Sequence, residues 1–270
     1  MDRYRVTEGS GFELAEHDPG DTGDFAPDKH GKKQAKEELV ELNAKLDNLQ
    51  ERLYADGRHR VLVVLEGMDT SGKGGTIRRV FQGVNPSGVR VAAFKAPTEL
   101  ELAHDFLWRI HPQAPRDGEL VIFDRSHYED VLIVRVRELV PEKRWRARYR
   151  HIRDFEQLLV DEGTTVVKFF LHISRDEQKE RLQARLDEPE KHWKFRLADL
   201  EERKRWDDYQ VAFEEAIKET SAPWAPWVVV PANRKWYRDV VVCRTLVDTL
   251  EQLDLTFPPS PDDLSDVVIE

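Results

Sequence analysis

Short aliphatic runs alternate with segments of helical periodicity along most of the chain. Apolar positions between residues 32 and 54 recur at spacings of three and four, which predicts an amphipathic helix that ends near Gly57. Five runs have the length and composition of strands buried on both faces: 61–65, 89–94, 120–123, 166–173 and 228–230. The other helical patterns cover 73–84, 99–110, 127–139, 143–161, 175–187, 199–219 and 235–253. This alternation predicts an α/β fold with a mostly parallel, five-stranded sheet and helices on both faces.

Composition divides the chain into three regions. Residues 1–30 are rich in Gly, Asp and Pro without periodicity, which predicts a segment that lies extended over the surface or is partly disordered. Residues 31–258 contain neither an internal repeat nor a low-complexity linker, so we expect a single domain there. Residues 259–270 form the expected C-terminal tail.

The same features bear on where the protein works. No apolar stretch approaches the ~20 residues that a bilayer requires, so we expect no membrane span. The first residues lack the apolar core of a signal peptide. The single cysteine, Cys243, cannot form an internal disulfide, which fits a reducing compartment. A cytoplasmic location is the resulting expectation.

Charge is distributed unevenly along the chain. The formal net charge is −10, which disfavours a protein whose whole surface binds nucleic acid or an anionic membrane. The segment 135–153 is instead positively charged, with eight Lys or Arg residues and two Glu. It predicts either a local track for a polyanion or a helix whose arginines pair with acidic neighbours. Charge alone does not decide between these interpretations.

A glycine-rich loop follows the first long strand. Its sequence, Gly67-Met68-Asp69-Thr70-Ser71-Gly72-Lys73-Gly74-Gly75, has the frame of a P-loop and lies between a predicted strand and a predicted helix. Glycines allow backbone N–H groups to turn toward phosphate oxygens, the start of the helix adds positive potential, and Lys73 adds a full charge. A glycine-rich turn with an incidental lysine is the alternative. The loop therefore predicts a phosphate-binding site.

Two carboxylates give this site an unusual character. The position after the lysine, usually a Ser or Thr that binds magnesium, is Gly74, whereas Asp69 lies inside the loop. A carboxylate beside phosphates is favourable when a divalent cation lies between them, so Asp69 is expected to bind metal or to orient the phosphate acceptor. The strand at 120–123 ends at Asp124, where P-loop enzymes hold the acid that supports magnesium, and Arg125 follows directly. An ordinary strand-end Asp with a surface Arg is the alternative.

A third cluster predicts a helical lid at about 181–200. Arg181 and Arg185 share one helix face and precede the segment 188–194, which contains further Lys and His residues. Phosphotransferases that act on small acceptors need a lid that excludes water and brings arginines to the transition state. The alternative is a solvated helix in which Glu180 and Asp187 pair with these arginines.

Together these motifs resemble the polyphosphate kinase 2 family. The resemblance rests on the loop 67–75 and on Asp124-Arg125-Ser126. It also rests on the motifs at 94–97, 191–194, 206–209, 225–227 and 235–238, and it is collinear from about residue 30 to 258. It implies a P-loop kinase fold similar to thymidylate kinase, and magnesium-dependent transfer of phosphate between inorganic polyphosphate and nucleotides. The forms of 104–111 and 128–132 are similar to the subgroup that accepts AMP as well as ADP. Members of that subgroup can carry Asn where this chain has Asp124, so the preference between AMP and ADP stays open.

The resemblance also assigns roles to individual residues. It implies catalytic roles for Asp69, Lys73, Asp124 and Arg125, with Asp69 and Asp124 holding Mg²⁺, for which Mn²⁺ could substitute. The residues expected to bind phosphate or polyphosphate are Gly67, Ser71, Gly72, Lys73, Gly74, Gly75, Arg78, Arg125, Arg135, Arg181 and Arg185. The residues expected to bind the nucleotide are Lys95, His104, Asp105 and Arg109, of which Lys95 is also expected to contact a phosphate chain.

The resulting hypothesis is a polyphosphate-dependent nucleotide kinase. It would move a phosphoryl group reversibly between inorganic polyphosphate and AMP or ADP, with GMP and GDP as further candidates. An ATP-dependent nucleotide kinase of the same fold is one alternative, and it would need a pocket for the adenosine of its donor. A polyanion- or RNA-binding module that uses the segment 135–153 is another, but it leaves Asp69 and Asp124 unexplained. The expected partners are polyphosphate and purine nucleotides, with neither nucleic acid nor a membrane, and we expect a homo-oligomer (a dimer or tetramer).

Overall fold

The central element of the protein is a sheet of six strands. The computed structural model describes residues 2–263 and 267–269. Its strands are β1 (Arg5–Val6), β2 (Arg60–Glu66), β3 (Val89–Ala93), β4 (Leu120–Asp124), β5 (Thr164–His172) and β6 (Trp227–Pro231). They lie in the order β1-β6-β5-β2-β4-β3, and β2 to β6 are parallel. All five predicted strands are present within two residues of their expected ends, which confirms the α/β architecture.

The edge strand β1 corrects the predicted number of strands from five to six. Arg5 and Val6 pair antiparallel with β6. Tyr4, Val6, Phe12 and Leu14 of the same N-terminal segment are buried in the main hydrophobic core. A strand of two residues is too short for an alternating pattern to reveal, because such patterns need about four residues or more. Residues 1–30 therefore supply core side chains that their composition did not predict. The division of the chain into three regions stays a prediction.

Helices pack on both faces of the sheet. They are α1 (Lys29–Asp56), α2 (Lys73–Val80), α3 (Glu99–Leu102), α4 (Ile133–Val136), α5 (Glu142–Asp161), α6 (Arg175–Asp187), α7 (Leu197–Lys204), α8 (Trp206–Thr220) and α9 (Lys235–Glu251). One group consists of α1, α2 and α9, and a second of α4, α5 and α8. The strands β2 and β5 are buried along nearly their whole length, as strands covered on both faces must be. Within the described residues, no helix is both long and apolar enough to cross a membrane.

Local side chains explain where the helices depart from the predicted bounds. Asp28 caps α1, which ends at Gly57 in the left-handed conformation, as its sequence indicates. The predicted helix 99–110 stops after one turn, and the Asp105 side chain accepts a hydrogen bond from the backbone N–H of Leu107. Such Asx turns compete with helical hydrogen bonding. The region 127–139 is likewise split into a 3₁₀ helix (His127–Asp130) and α4.

Strand register places the motifs side by side at one edge of the sheet. Leu65 of β2 pairs with Asp124 of β4, so the loop that follows β2 lies beside the loop that follows β4. Ala93 of β3 also pairs with Asp124, which brings the segment after β3 to the same edge. Ligands of open α/β sheets bind in the crevice outside the carboxyl ends of the strands. The fold therefore predicts that a ligand binds at this edge of the sheet.

Candidate active site

The loop between β2 and α2 has a backbone that only glycine permits at two positions. Gly67 and Gly72 have φ of +148° and +106°. A Cβ on Gly67 would lie 2.8 Å from the carbonyl oxygen of Leu171 and 2.8 Å from Ser71 Oγ. A Cβ on Gly72 would lie 2.0 Å from Arg238 Nη1. The glycines of the sequence motif are thus required by close approach as well as by φ.

Lys73 begins α2 directly above this loop. Its Nζ donates a hydrogen bond to the carbonyl oxygen of Gly67 at 2.7 Å, so the ammonium group folds back over the loop. Gly74 and Gly75 form the rest of the first helical turn, and Arg78 lies exposed in the same helix. Backbone N–H groups at a helix start and a nearby ammonium group together suit an anion. The loop has the predicted P-loop geometry.

A salt bridge joins the P-loop to the loop that follows β4. Arg125 Nη2 lies 2.9 Å from Asp69 Oδ1, and both side chains are partly exposed. Thr70 and Arg125 have positive φ values of 68° and 64°. Non-glycine residues in this conformation are strained and cluster at functional sites. The two predicted site loops therefore meet through an ion pair, and each carries a strained residue.

Two glutamates that the motifs did not single out complete this group of charges. Glu66 is buried at the end of β2, and its Oε1 accepts a hydrogen bond from Ser126 Oγ at 2.7 Å. Burial, together with the nearby charge of Glu129, raises the pKa of Glu66 to about 8. Glu129 lies 3.8 Å from Arg125 Nε, and burial raises its pKa as well. A glutamate that ends an apolar run was the available signal for Glu66.

The carboxylate oxygens of this site suit magnesium only if substrate phosphates supply further ligands. Among the described residues, no group of three or more His, Cys, Asp or Glu side chains is arranged to hold a metal ion by itself. Mg²⁺ usually binds one or two carboxylates and takes its other ligands from substrate phosphates and water. Asp124 ends β4, Asp69 lies in the loop that follows the neighbouring strand β2, and both are partly exposed, as such ligands must be. Both residues suit the predicted metal site.

Two buried arginines hold the P-loop from behind. Arg181 Nη1 donates to the carbonyl oxygens of Thr70 and Ser71 at 2.9 and 2.8 Å. Arg238 Nη1 lies 3.4 Å from the Ser71 carbonyl oxygen, and its other nitrogens donate to Asp239. Backbone contacts thus occupy the Arg181 guanidinium group, which the family resemblance assigned to phosphate binding. The structure places Arg181 behind the loop as a clamp.

Comparison with known proteins agrees with this geometry. Residues 29–258 match the family model described as Polyphosphate kinase 2 (PPK2). The chain belongs to the polyphosphate kinase 2 family. It is 60% identical over 270 residues to the AMP/ADP-polyphosphate phosphotransferase of Meiothermus ruber, with 100% of both chains covered. It is 44% identical over 268 residues to the ADP-polyphosphate phosphotransferase of Rhodopseudomonas palustris, covering 95% of this chain and 91% of that one. The crystal structure of Polyphosphate Kinase 2 from Arthrobacter aurescens TC1 superposes with a TM-score of 0.92 at 47% identity, covering 97% and 92% of the two chains.

The residues that the resemblance to PPK2 predicts to bind the nucleotide lie together on the segment after β3. Arg109 Nη1 donates to the carbonyl oxygen of Lys95 at 2.8 Å. His104 stacks on Trp108 with 4.1 Å between ring centroids, and both rings are exposed. Asp105 shapes the turn between them. Register brings this segment beside Asp124, although a nucleotide-binding role for its residues stays a prediction.

The predicted PPK2 lid consists of a fixed part and an exposed part. Arg185 lies one turn beyond Arg181 and donates to the carbonyl oxygen of Lys194 at 3.0 Å and to Asp199 at 3.3 Å. The 3₁₀ helix Pro189–Lys194 and the start of α7 are exposed, with Trp193 among the most exposed large apolar side chains. Arg185 therefore ties the exposed segment together, whereas Arg181 belongs to the rigid support of the P-loop.

The helices after the lid reach the site with side chains that sequence patterns did not identify. Tyr209 OH donates to Glu202 at 2.5 Å, and both line a small cavity of about 60 Å³ with Asp69, Arg125 and Glu129. Gln178 of α6 also donates to the carbonyl oxygen of Asp69 at 3.1 Å. These contacts close one side of the space between the two site loops.

The arginines of segment 135–153 are largely paired with acidic side chains. Arg135 Nη1 lies 2.6 Å from Glu215, and its guanidinium also packs over Trp145. The other pairs are Arg137 with Glu202, Arg146 with Glu142 and Glu215, Arg148 with Asp130, and Arg153 with Glu8. This arrangement favours the second interpretation of the basic segment, a helix neutralised by its neighbours, over a free polyanion track.

Proposed function

We propose that this protein transfers a phosphoryl group reversibly between inorganic polyphosphate and AMP or ADP, with GMP and GDP as further candidate nucleotides. The observation that carries the proposal is the meeting of two loops, where Lys73 and Arg125 supply cations and Asp69 and Asp124 supply carboxylates. Membership of the polyphosphate kinase 2 family supports polyphosphate as one substrate. The names of the two relatives support adenine nucleotides as the other.

The charges suggest how the site would work. Lys73 and the N–H groups of the P-loop would bind the phosphates at one side. Arg125, which pairs with Asp69 in the structure, would direct its positive charge to the phosphate that is transferred. Asp69 would then be free to orient the terminal phosphate of the nucleotide. Phosphoryl transfer passes through a loose transition state, so positioning and charge neutralisation suffice and we expect no phosphoenzyme.

We further propose that the reaction requires Mg²⁺, with Mn²⁺ as a possible substitute. Asp69 and Asp124 would hold the ion together with substrate phosphates. Bound there, the ion supplies positive charge that neutralises the phosphate oxygens. The partial exposure of both carboxylates, one at the end of β4 and one in the loop after the neighbouring strand β2, supports this assignment.

Product analysis with a choice of donors tests the proposal. AMP, ADP, GMP and GDP are each incubated with polyphosphate and Mg²⁺, and the nucleotide products are separated by ion-exchange chromatography. We expect ADP from AMP and ATP from ADP, loss of both products with EDTA, and product formation slowed by orders of magnitude in the variant Lys73→Ala. Transfer from ATP but not from polyphosphate would favour the ATP-dependent nucleotide kinase. No transfer from either donor would refute the proposal.

The binding-module alternative has its own measurement. A module that used segment 135–153 would retard RNA in a gel independently of Lys73. The pairing of Arg135 with Glu215, and of Arg146 with the same glutamate, argues against such a surface.

We propose in addition that the protein is a cytoplasmic homo-oligomer (a dimer or tetramer). Light scattering after size exclusion measures its assembly.

A further inference from the structure

A fully buried ion pair lies behind the loop that follows β4. Lys168 Nζ of β5 donates to Glu156 Oε2 of α5 at 2.6 Å, and neither side chain is exposed. Burial lowers the pKa of Lys168. Burial opposes ionisation of Glu156, but the Lys168 charge and the His127 contact hold the pKa of Glu156 below its usual value. Replacing such a pair with apolar side chains is often neutral or stabilising, so stability alone is a weak reason for its presence.

The other oxygen of the same carboxylate holds two consecutive residues. Glu156 Oε1 accepts a hydrogen bond from Tyr128 OH at 2.8 Å and lies 3.2 Å from His127 Nε2. Lys168 Nζ also donates to Tyr128 OH at 3.1 Å and to the carbonyl oxygen of Thr220 at 2.8 Å. His127 and Tyr128 are themselves fully buried. One carboxylate oxygen therefore fixes both side chains.

These two residues are the far anchor of the loop that carries Arg125. Asp124 fixes its near end in the sheet, and His127 and Tyr128 fix its far end. Ser126 ties the middle to Glu66. The left-handed conformation of Arg125 is unfavourable and persists only where the surroundings impose it. Release of either end would let the backbone of Arg125 relax and move its guanidinium away from Asp69.

We propose that Glu156 and Lys168 are positioning residues: through His127 and Tyr128 they hold Arg125 in the conformation that directs its guanidinium group to the transferring phosphate. The inference rests on the proposed function, because it assigns Arg125 to the reaction. Neither Glu156 nor Lys168 would touch substrate. Their effect would appear in turnover rather than in substrate binding, since the Lys73 side of the site is untouched.

Tyr128→Phe is the first test, because it removes the hydroxyl that contacts Glu156, Lys168 and Thr220 and keeps the ring that packs against Trp227. We expect kcat to fall about tenfold, while KM for polyphosphate changes less than about twofold, as for an interaction that matters mainly in the transition state. A second variant, Glu156→Leu with Lys168→Met, removes the pair without leaving a buried charge unpaired. It should lower kcat at least as much. Tyr4→Phe, which removes another buried and hydrogen-bonded hydroxyl, is the control and should retain kcat.

A double-mutant cycle with Arg125→Ala separates positioning from stability. If Tyr128 acts through Arg125, Tyr128→Phe should lower kcat by less than about twofold in the Arg125→Ala background, because the effects of coupled residues are not additive. Equal losses in both backgrounds, or kcat within about twofold of wild type for Tyr128→Phe and for the Glu156/Lys168 double variant, would overturn the inference. A wild-type protein that transfers nothing from polyphosphate would instead refute the proposed function, and this inference with it.

Discussion

Replacing Arg181 tests whether the P-loop is held by a clamp or lined by a phosphate ligand. Its guanidinium group donates to four backbone carbonyl oxygens, those of Thr70, Ser71, Ala232 and Asn233, at 2.6 to 3.1 Å. Glutamine has two N–H donors, so Arg181→Gln removes the Arg181 donor from at least two of these four carbonyl groups, of which only that of Ser71 has a further contact within the described residues, to Arg238. Each carbonyl group left without a partner costs ~1–3 kcal/mol. We expect a loss of unfolding free energy of about 2–5 kcal/mol.

Calorimetry measures this loss directly. In proteins slightly smaller than this one, each kcal/mol shifts Tm by roughly 2–4 °C, so Arg181→Gln should lower Tm by about 5–15 °C. Arg185→Gln is the matched control on the same helix, because Arg185 donates to one carbonyl group and one aspartate of the more exposed lid segment. We expect its Tm to fall by less than about 3 °C, in line with the small contribution of partly exposed pairs.

Kinetics of the same variants distinguish the two roles. A clamp fixes the carbonyl groups of Thr70 and Ser71, so Arg181→Gln should lower kcat together with Tm. A phosphate ligand would instead raise KM for polyphosphate and leave Tm unchanged. A variant that melts within about 2 °C of wild type, with KM raised tenfold or more, would refute the clamp.

Three further predictions concern individual charges. Lys73→Ala should lower turnover by orders of magnitude with little change in Tm, because its ammonium group is partly exposed and donates to a carbonyl oxygen of the P-loop itself; near-normal rates would contradict the P-loop assignment. Asp124→Asn should be partly rescued by raised Mg²⁺, whereas Asp69→Asn should not, if Asp69 also orients the acceptor; equal rescue in rate-against-magnesium curves would make Asp69 a metal ligand only. Burial raises the pKa of Glu66 to about 8 from a usual 4.5, so the folded wild type loses stability as pH rises between these two values, by up to ~1.4 kcal/mol for each pH unit. The Tm of Glu66→Gln relative to wild type should therefore increase across this window and level off above it, and a constant difference would contradict the burial of the ionised group.

Parallel strands and the P-loop could be predicted from sequence because their signals are local. The unbroken aliphatic run of β2 and the glycines after it can both be recognised from the local sequence, although the close contacts of Gly67 and Gly72 come from the distant residues Leu171 and Arg238. The strand β1 could not be predicted in this way. Its two residues form a strand because they pair with β6, which lies more than 200 positions away along the chain.

Side-chain contacts could not be predicted from the sequence where the partners come from distant segments. Arg181 and the basic segment had the composition of phosphate ligands. The structure pairs Arg181 with carbonyl groups of the P-loop and Arg135 with Glu215. No spacing of residues along the sequence predicts either contact. Conversely, the role of Arg238 depends on α9 lying behind the P-loop, a tertiary fact. Arginine counts indicate positive charge, but only the fold shows which charges are already neutralised.

The balance of charges between the two loops bears on the proposed need for a metal ion. Lys73 and Arg125 face the carboxyl groups of Asp69, Asp124 and Glu129, and the charge of Arg125 is already paired with Asp69. A polyphosphate chain that approached this group without further cations would meet the negative charge of Asp69 and Asp124, while the charge of Arg125 is held by Asp69. In a partly buried site such repulsion is only weakly screened. Held by these carboxylates, a divalent cation would supply further positive charge, and Arg125 would then be available to the transferring group. The same acids that would repel phosphate alone would then make its binding conditional on the metal, so polyphosphate affinity should rise steeply with Mg²⁺ in the wild type and less steeply in Asp124→Asn.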